Sequence, residues 1–74
     1  MQKIRNRILR MREGSEKKFL LDIAVKVEQA IKANDLQKME RLNGRLNGLF
    51  DGLSAEGQAV AKEISKKIME AHNA

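Results

Sequence analysis

The sequence predicts an all-α protein: a small helical bundle of three core helices plus a short basic N-terminal helix. Two observations lead to this fold class. In four successive segments of the 74-residue chain, apolar residues recur every three or four positions, which is the period of a buried helix face. Between these segments lie short clusters of Gly, Ser, Asn and Asp, which favour turns and helix caps. Short connections of this kind favour antiparallel neighbouring helices.

The first segment, residues 2–13, is predicted to be a basic amphipathic helix. Ile4, Ile8 and Met11 follow one another at i, i+4 and i+7 and therefore share one face. Gly14 is expected to end the helix, because glycine suits the backbone that follows a helix C-terminus. The rest of the circumference carries five basic residues, Lys3, Arg5, Arg7, Arg10 and Arg12.

The second segment, residues 16–33, has the strongest helical pattern in the chain. Ser15 is a suitable N-cap for it. Because its apolar stripe is broad, we expect neighbours on more than one side and place this helix at the centre of the bundle. The stripe comprises Leu20, Ile23, Ala24, Val27, Ala30 and Ile31 and is widened by Phe19, Leu21 and Val25.

The third helix is predicted over residues 35–50, with Asn34 as its N-cap. Its apolar residues are spaced like a heptad seam: Leu36, Met39, Leu42, Leu46, Leu49 and Leu53. An internal repeat, Arg-Leu-Asn-Gly, occupies 41–44 and again 45–48. The leucine spacing favours a continuous helix with glycines in a row along one side. The alternative is a break at Gly44 or Gly48, since Asn-Gly pairs also form turns.

The fourth helix is predicted over residues 55–71, with Ser54 as its N-cap. Its buried stripe comprises Val60, Ala61, Ile64, Ile68 and Ala71.

The chain is accordingly divided into an N-terminal arm, residues 1–14, and a helical bundle domain, residues 15–74. So short a chain buries only about 60% of its unfolded surface alone. We therefore expect a homodimer or a subunit of a larger assembly.

Few residues in this chain are suited to catalysis or to binding a metal. There is no cysteine and one histidine, and two of the three serines are accounted for as caps. The acidic residues are scattered and form no ligand-type cluster. The sequence therefore predicts a non-enzymatic protein without a cofactor or metal site. With no long apolar run and no leader, it also predicts a cytoplasmic protein that does not bind membranes.

The positive charge is concentrated in the arm. The chain has 15 Lys and Arg against 10 Asp and Glu, a net charge of +5, and residues 1–14 contribute five basic residues and one acidic residue, or +4 of it. Such an asymmetry concerns partners rather than fold.

Our first hypothesis is a protein–protein interaction module (a small regulator, inhibitor or assembly subunit) that docks on an acidic or grooved partner surface. The predicted contacts are Ile4, Ile8 and Met11 as apolar anchors, with Arg5, Arg7, Arg10 and Arg12 around them.

The alternative hypothesis is a nucleic-acid-binding protein whose arm contacts phosphates. A second basic cluster on the third helix would add to the arm if the first and third helices lie side by side. The arm has no aromatic residue on which a base could stack. The candidate nucleic-acid contacts are Lys3, Arg5, Arg7, Arg10 and Arg12, with Lys38, Arg41 and Arg45 from the third helix.

Overall fold

A computed structural model describes residues 1–73, which form four α-helices and no strand. The helices are α1 (Gln2–Leu9), α2 (Ser15–Lys32), α3 (Leu36–Leu49) and α4 (Ala55–His72), and a 3-10 turn, Phe50–Gly52, joins α3 to α4. The predicted small all-α bundle is confirmed. Residue 74, the last of the predicted bundle domain, lies outside the described residues.

The four helices pack as a rhombus in cross-section. α2 and α4 contact each other, and each also contacts α1 and α3. In the described part of the chain, α1 and α3 do not contact each other and occupy opposite corners. α2 and α4 start close together, where a hydrogen bond links Glu16 in the first turn of α2 to Ser54 at the start of α4. This arrangement gives α2 the central position that its broad stripe predicts.

One hydrophobic core runs between all four helices. The central residues of the predicted stripes are buried in it, and no buried side-chain polar atom of residues 1–73 lacks a hydrogen-bond partner. α1 is part of this core and does not project as a separate arm, since two of its side chains are buried there. The core residues are Ile4, Ile8, Leu20, Ile23, Ala24, Val27, Ala30, Met39, Leu42, Leu46, Val60, Ala61, Ile64 and Ile68.

α1 ends four residues earlier than predicted, at Leu9. The backbone N–H of Met11 bonds the carbonyl of Ile8, so the last turn tightens and the chain leaves the helix. Gly14 then takes φ +153°, a conformation that residues with a side chain rarely adopt. α2 begins directly after it, so Ser15 is the first residue of α2 and makes no side-chain cap bond, contrary to prediction.

The link between α2 and α3 assigns Asn34 a different role from the predicted one. Asn34 ends α2 in the left-handed conformation, φ 52°. Its N–H bonds the carbonyl of Ile31 at 3.1 Å, and the N–H of Asp35 bonds that of Ala30 at 2.9 Å, which together form a Schellman motif. Asp35 is the N-cap of α3 instead, and its carboxylate accepts from the Lys38 N–H at 3.1 Å.

α3 is continuous through both copies of the repeat, from Leu36 to Leu49. The glycine row does not bring a helix of this chain close to α3, because no other part of the chain lies within 4 Å of where a Cβ on Gly44 or Gly48 would stand. α4 starts as predicted, with the Ser54 hydroxyl accepting from the Gly57 N–H at 3.1 Å. No helix within residues 1–73 is long and apolar enough to cross a membrane.

Candidate interaction surface on the first helix

The inner side of α1 holds two of the three predicted partner anchors. Ile8 is fully buried and Ile4 is 4% exposed, both within the core formed with α2 and α4. We therefore correct the expectation for these two side chains: in this structure they pack inside their own chain and cannot reach a partner. The i, i+4 spacing that makes a face apolar applies equally to a docking helix and to a helix packed in its own bundle.

Two of the arm's arginines form ion pairs that link α1 to α2 and α4. Arg5 Nη1 lies 3.5 Å from Glu28 Oε2 on α2. Arg7 contacts two carboxylates on α4, through Nε to Glu56 Oε1 and through Nη1 to Glu63 Oε1, both at 2.9 Å. The predicted partner contacts Arg5 and Arg7 thus have acidic partners within the chain, and their charge is largely balanced there.

The pair of glutamates affects the ionisation of Arg7. Its hydrogen bond with Glu56, reinforced by the negative charges of Glu56 and Glu63, raises the pKa of the Arg7 guanidinium above its ordinary value. A guanidinium carries its charge at every pH relevant to proteins. The raised pKa therefore produces no change of charge in that range, and Arg7 stays attracted to the two carboxylates of α4 throughout it.

The outer side of α1 is open and basic. A surface groove there, which we call the α1 groove, is lined by Lys3, Asn6, Arg7, Arg10, Met11 and Glu56. Lys3, Asn6 and Arg10 are exposed and lie at i, i+3 and i+7, whereas Met11 is half-buried against the core. Within residues 1–73, neither Lys3 nor Arg10 has a carboxylate within 4.0 Å. These two cations of the groove therefore remain for a partner.

The loop after α1 extends this basic surface. Arg12 is exposed in that loop, and no carboxylate of the described residues pairs with it. Together with Met11, it lines a second groove, which continues to Ser54 and Glu56 at the start of α4. Of the seven predicted partner contacts, the structure brings Arg10, Met11 and Arg12 to one surface and places the other four inside the chain or in ion pairs.

Three residues of this surface were missed by sequence reasoning. Asn6 lies between the two free cations of the groove, and Glu56 forms its far wall. Glu63 shares Arg7 with Glu56. The seven-residue spacing of Glu56 and Glu63 was the available signal, because it places both on one face of α4, where they can bracket one arginine. Nothing in the local sequence indicates that this arginine is Arg7.

The second basic cluster does not join the arm. Lys38, Arg41 and Arg45 lie on α3, which has no contact with α1 in the described structure. A single electropositive surface made of both helices is therefore not formed, and the combined nucleic-acid interface is corrected. Arg45 instead lies over the ring of Phe19 on α2, with Cζ 5.9 Å from the ring centroid.

The hydroxyl and imidazole groups are distributed over separate places. Ser54 Oγ donates to Glu16 Oε2 at 2.5 Å, and Ser65 Oγ donates to Asn43 Oδ1 at 2.9 Å. His72 is the last residue of α4, at the opposite end from Ser54. Residues 1–73 contain no group of three or more His, Cys, Asp or Glu that is placed to hold a metal ion.

Comparison with known proteins yields no relative. A scan of protein families, a search of curated proteins and a search of solved structures each found no match to this chain. The structure's own geometry is therefore the basis of the functional argument.

Proposed function

We propose that this chain is a non-enzymatic interaction module that docks on an acidic protein surface through the α1 groove. One observation supports this most directly: the outer side of α1 carries unpaired cations around a half-buried methionine, whereas the inner side is held in the bundle. A patch of apolar surface rimmed by charge is the usual composition of a protein docking site.

The charge balance of the molecule favours an acidic partner. Most of its carboxylates are engaged within the chain: six form ion pairs, Asp35 caps α3, and Glu16 accepts from Ser54, the cap of α4. The acidic groups outside these contacts are Glu40 and Asp51, and both lie away from the α1 groove. A negatively charged partner therefore meets little repulsion at α1, and opposite charge accelerates its approach.

The apolar part of the surface favours a protein over a nucleic acid. Met11 lines the groove together with Arg10, and Leu9, 54% exposed at the end of α1, lies outside it. Apolar side chains of this kind gain free energy by burial against another apolar surface, and they gain little against a phosphate backbone. In this proposal Leu9 and Met11 take over the anchoring role first predicted for Ile4 and Ile8. The mechanism is steric or scaffolding, by occupying the partner's surface.

The experiment is affinity capture from nuclease-treated lysate of the source organism, with charge-reversed variants. Lys3→Glu and Arg10→Glu alter the groove without touching the core, and Lys32→Glu on exposed α2 surface is the matched control. We expect the captured protein to be lost with both groove variants and kept with the control. Undiminished capture by the Lys3→Glu and Arg10→Glu variants would refute the proposal. Capture that is abolished by nuclease would favour phosphate binding by the arm.

We also propose a homodimer as the state in solution, with a larger assembly as the alternative. Several large apolar side chains remain on the surface after the core is filled, among them Leu36, Leu49 and Met69. Light scattering of the purified protein tests this directly, because a dimer doubles the scattering mass. A monomer at all concentrations used would contradict it and leave α1 docking unaffected.

A further inference from the structure

We infer that α3 is a second binding surface and that its ligand is double-stranded DNA, contacted through the side of α3 that faces away from the bundle. This inference uses no residue of the α1 groove and does not depend on the proposed function. We call this side the α3 outer face and define it as Gln37, Arg41, Gly44 and Gly48, flanked by Lys38 and Arg45.

The α3 outer face is free of the rest of the chain. The core side of α3 carries Met39, Leu42 and Leu46, and the residues of the outer face follow one another at i, i+4, i+7 and i+11 on the opposite side. Gln37, Arg41 and both glycines are exposed. α1 lies at the other corner of the bundle and covers none of this face.

The α3 outer face and its flanks carry unpaired positive charge, which favours an anionic ligand. None of Lys38, Arg41 and Arg45 has a carboxylate within 4.0 Å in the described residues. The nearest acidic residue along the helix, Glu40, lies toward α4, where it lines a shallow groove with Met69 and His72. A second copy of this chain docked face to face would bring these cations against one another, so a copy of the chain is the poorer occupant.

The shape of α3 fits a DNA major groove. An α-helix with its side chains is about 10–12 Å across, and the major groove of B-form DNA is about 12 Å wide. Gly44 and Gly48 have no side chain, so the helix is narrow along the C-terminal half of this face, and no other element lies within 4 Å of where a Cβ on either would stand. The deep, narrow major groove of duplex RNA would not admit the helix.

The side chains on and beside this face are those that contact DNA. Arg41 and Arg45 can neutralise phosphates or bind guanine edges, and Gln37, which is exposed, can bind adenine. The ring of Phe19 lies under the Arg45 guanidinium and holds it beside α3 without neutralising it. Arg45 is therefore partly ordered before DNA arrives, which reduces the entropy lost on binding.

The test is a titration of a short fluorescein-labelled DNA duplex, followed by fluorescence anisotropy between about 50 and 200 mM salt. Three phosphate contacts correspond to a slope of about −2.7 when log affinity is plotted against log salt, since each contact contributes about −0.9. We expect Arg41→Gln to reduce the magnitude of this slope by about 0.9 and Arg41→Gln with Arg45→Gln by about 1.8.

Two variants of equal charge change serve as controls. Lys32→Gln removes a cation at the end of α2, and Arg10→Gln removes one from the α1 groove. We expect both to leave the slope unchanged. Circular dichroism checks that the variants fold, which is expected because Arg41 is exposed and has no ion-pair partner among residues 1–73.

A footprint identifies the groove. Guanine N7 lies in the major groove, so at saturation α3 should protect it from methylation by dimethyl sulfate. Binding without N7 protection would overturn the inference. So would equal affinity for single-stranded DNA or duplex RNA, a slope that falls with Arg10→Gln as much as with Arg41→Gln, or flat, weak binding at low salt.

Discussion

Glu16, in the first turn of α2, binds both polar groups of Ser54, the residue that caps α4. Glu16 Oε1 accepts from the Ser54 backbone N–H at 2.8 Å, and Glu16 Oε2 accepts from the Ser54 hydroxyl at 2.5 Å. The same hydroxyl accepts from the Gly57 N–H, so the serine that caps α4 is itself bound by a carboxylate 38 positions away in sequence. This contact joins the first turn of α2 to the start of α4.

The first prediction concerns this cap. Ser54→Ala removes the cap of α4 and the donor to Glu16, and should lower the free energy of unfolding by about 0.5–2 kcal/mol. Ser54→Asp is the sharper variant: Asp is as good an N-cap as Ser in general, but here its carboxylate would stand beside that of Glu16. We expect it to be less stable than wild type in urea denaturation. Equal stability would show that the Glu16–Ser54 contact contributes nothing.

The second prediction concerns Gly57, which is buried against the same carboxylate. A Cβ at this position would lie 2.5 Å from Glu16 Oε2 and 3.2 Å from Leu53 Cβ. Gly57→Ala should therefore destabilise the protein by about 1–3 kcal/mol, although alanine is the better helix former. In a Glu16→Ala background part of this loss should disappear, because the carboxylate no longer blocks the site. Thermal denaturation of the four proteins of this cycle measures the coupling, and strictly additive effects would contradict the contact.

The third prediction concerns Gly48, the penultimate residue of α3. It is exposed, and no atom of another element lies within 4 Å of its Cβ position. Gly48→Ala should raise the free energy of unfolding by about 0.5–1 kcal/mol, since alanine restricts the unfolded chain and favours the helix. Gly14→Ala is the control with equally open space: its φ of +153° should make that change destabilising. A stability loss for Gly48→Ala would contradict a continuous, uncovered α3.

The fourth prediction concerns the place of α1 in the core. Ile8 is fully buried, so Ile8→Ala should cost about 2–5 kcal/mol of stability. Leu9, its neighbour in sequence, is 54% exposed, and Leu9→Ala should change stability by no more than about 0.5 kcal/mol. The two melting temperatures give the comparison. Similar values would mean that α1 is detached from the bundle in solution.

The fifth prediction concerns the acid side of the pH range. A hydrogen bond from Lys17 lowers the pKa of the Glu13 carboxyl from its ordinary value of 4.5. Because the folded pKa lies below the unfolded one, the pair stabilises the fold above pH 4.5, and this contribution is lost as the pH falls through the lowered value. Carboxyl ¹³C NMR should show Glu13 titrating below 4.5 in wild type and closer to it in Lys17→Gln. An unchanged Glu13 titration in that variant would refute the pairing.

The helices could be predicted from the sequence because their stripes are long. α2 and α4 begin and end within one residue of prediction, and Leu42 and Leu46 kept α3 continuous through its glycines. The end of α1 was predicted less accurately, because the sequence after Leu9 keeps a helical pattern. The tightened turn at Met11 depends on packing between helices, which the local pattern does not contain. Asn34 is a good residue for either end of a helix, and only its backbone angle decides between them.

The candidate surface was less predictable, since local pattern does not reveal which charges meet. Arg7 and Arg10 are equivalent in sequence, yet Arg7 meets carboxylates 49 and 56 positions away and Arg10 meets none in the described chain. Likewise, the apolar face of α1 correctly predicted that its side chains are buried. It did not predict whether they are buried in the chain's own bundle or against a partner. Both questions depend on how four helices assemble.

The placement of α1 and α3 at opposite corners has a consequence for stoichiometry. No residue belongs to both outer sides, and the α2–α4 pair stands between them across a molecule whose second-largest dimension is 23 Å. A ligand seated on one corner leaves the other sterically unobstructed. In the two proposals taken together, a single copy would hold an acidic protein and a DNA duplex on opposite sides of the α2–α4 pair.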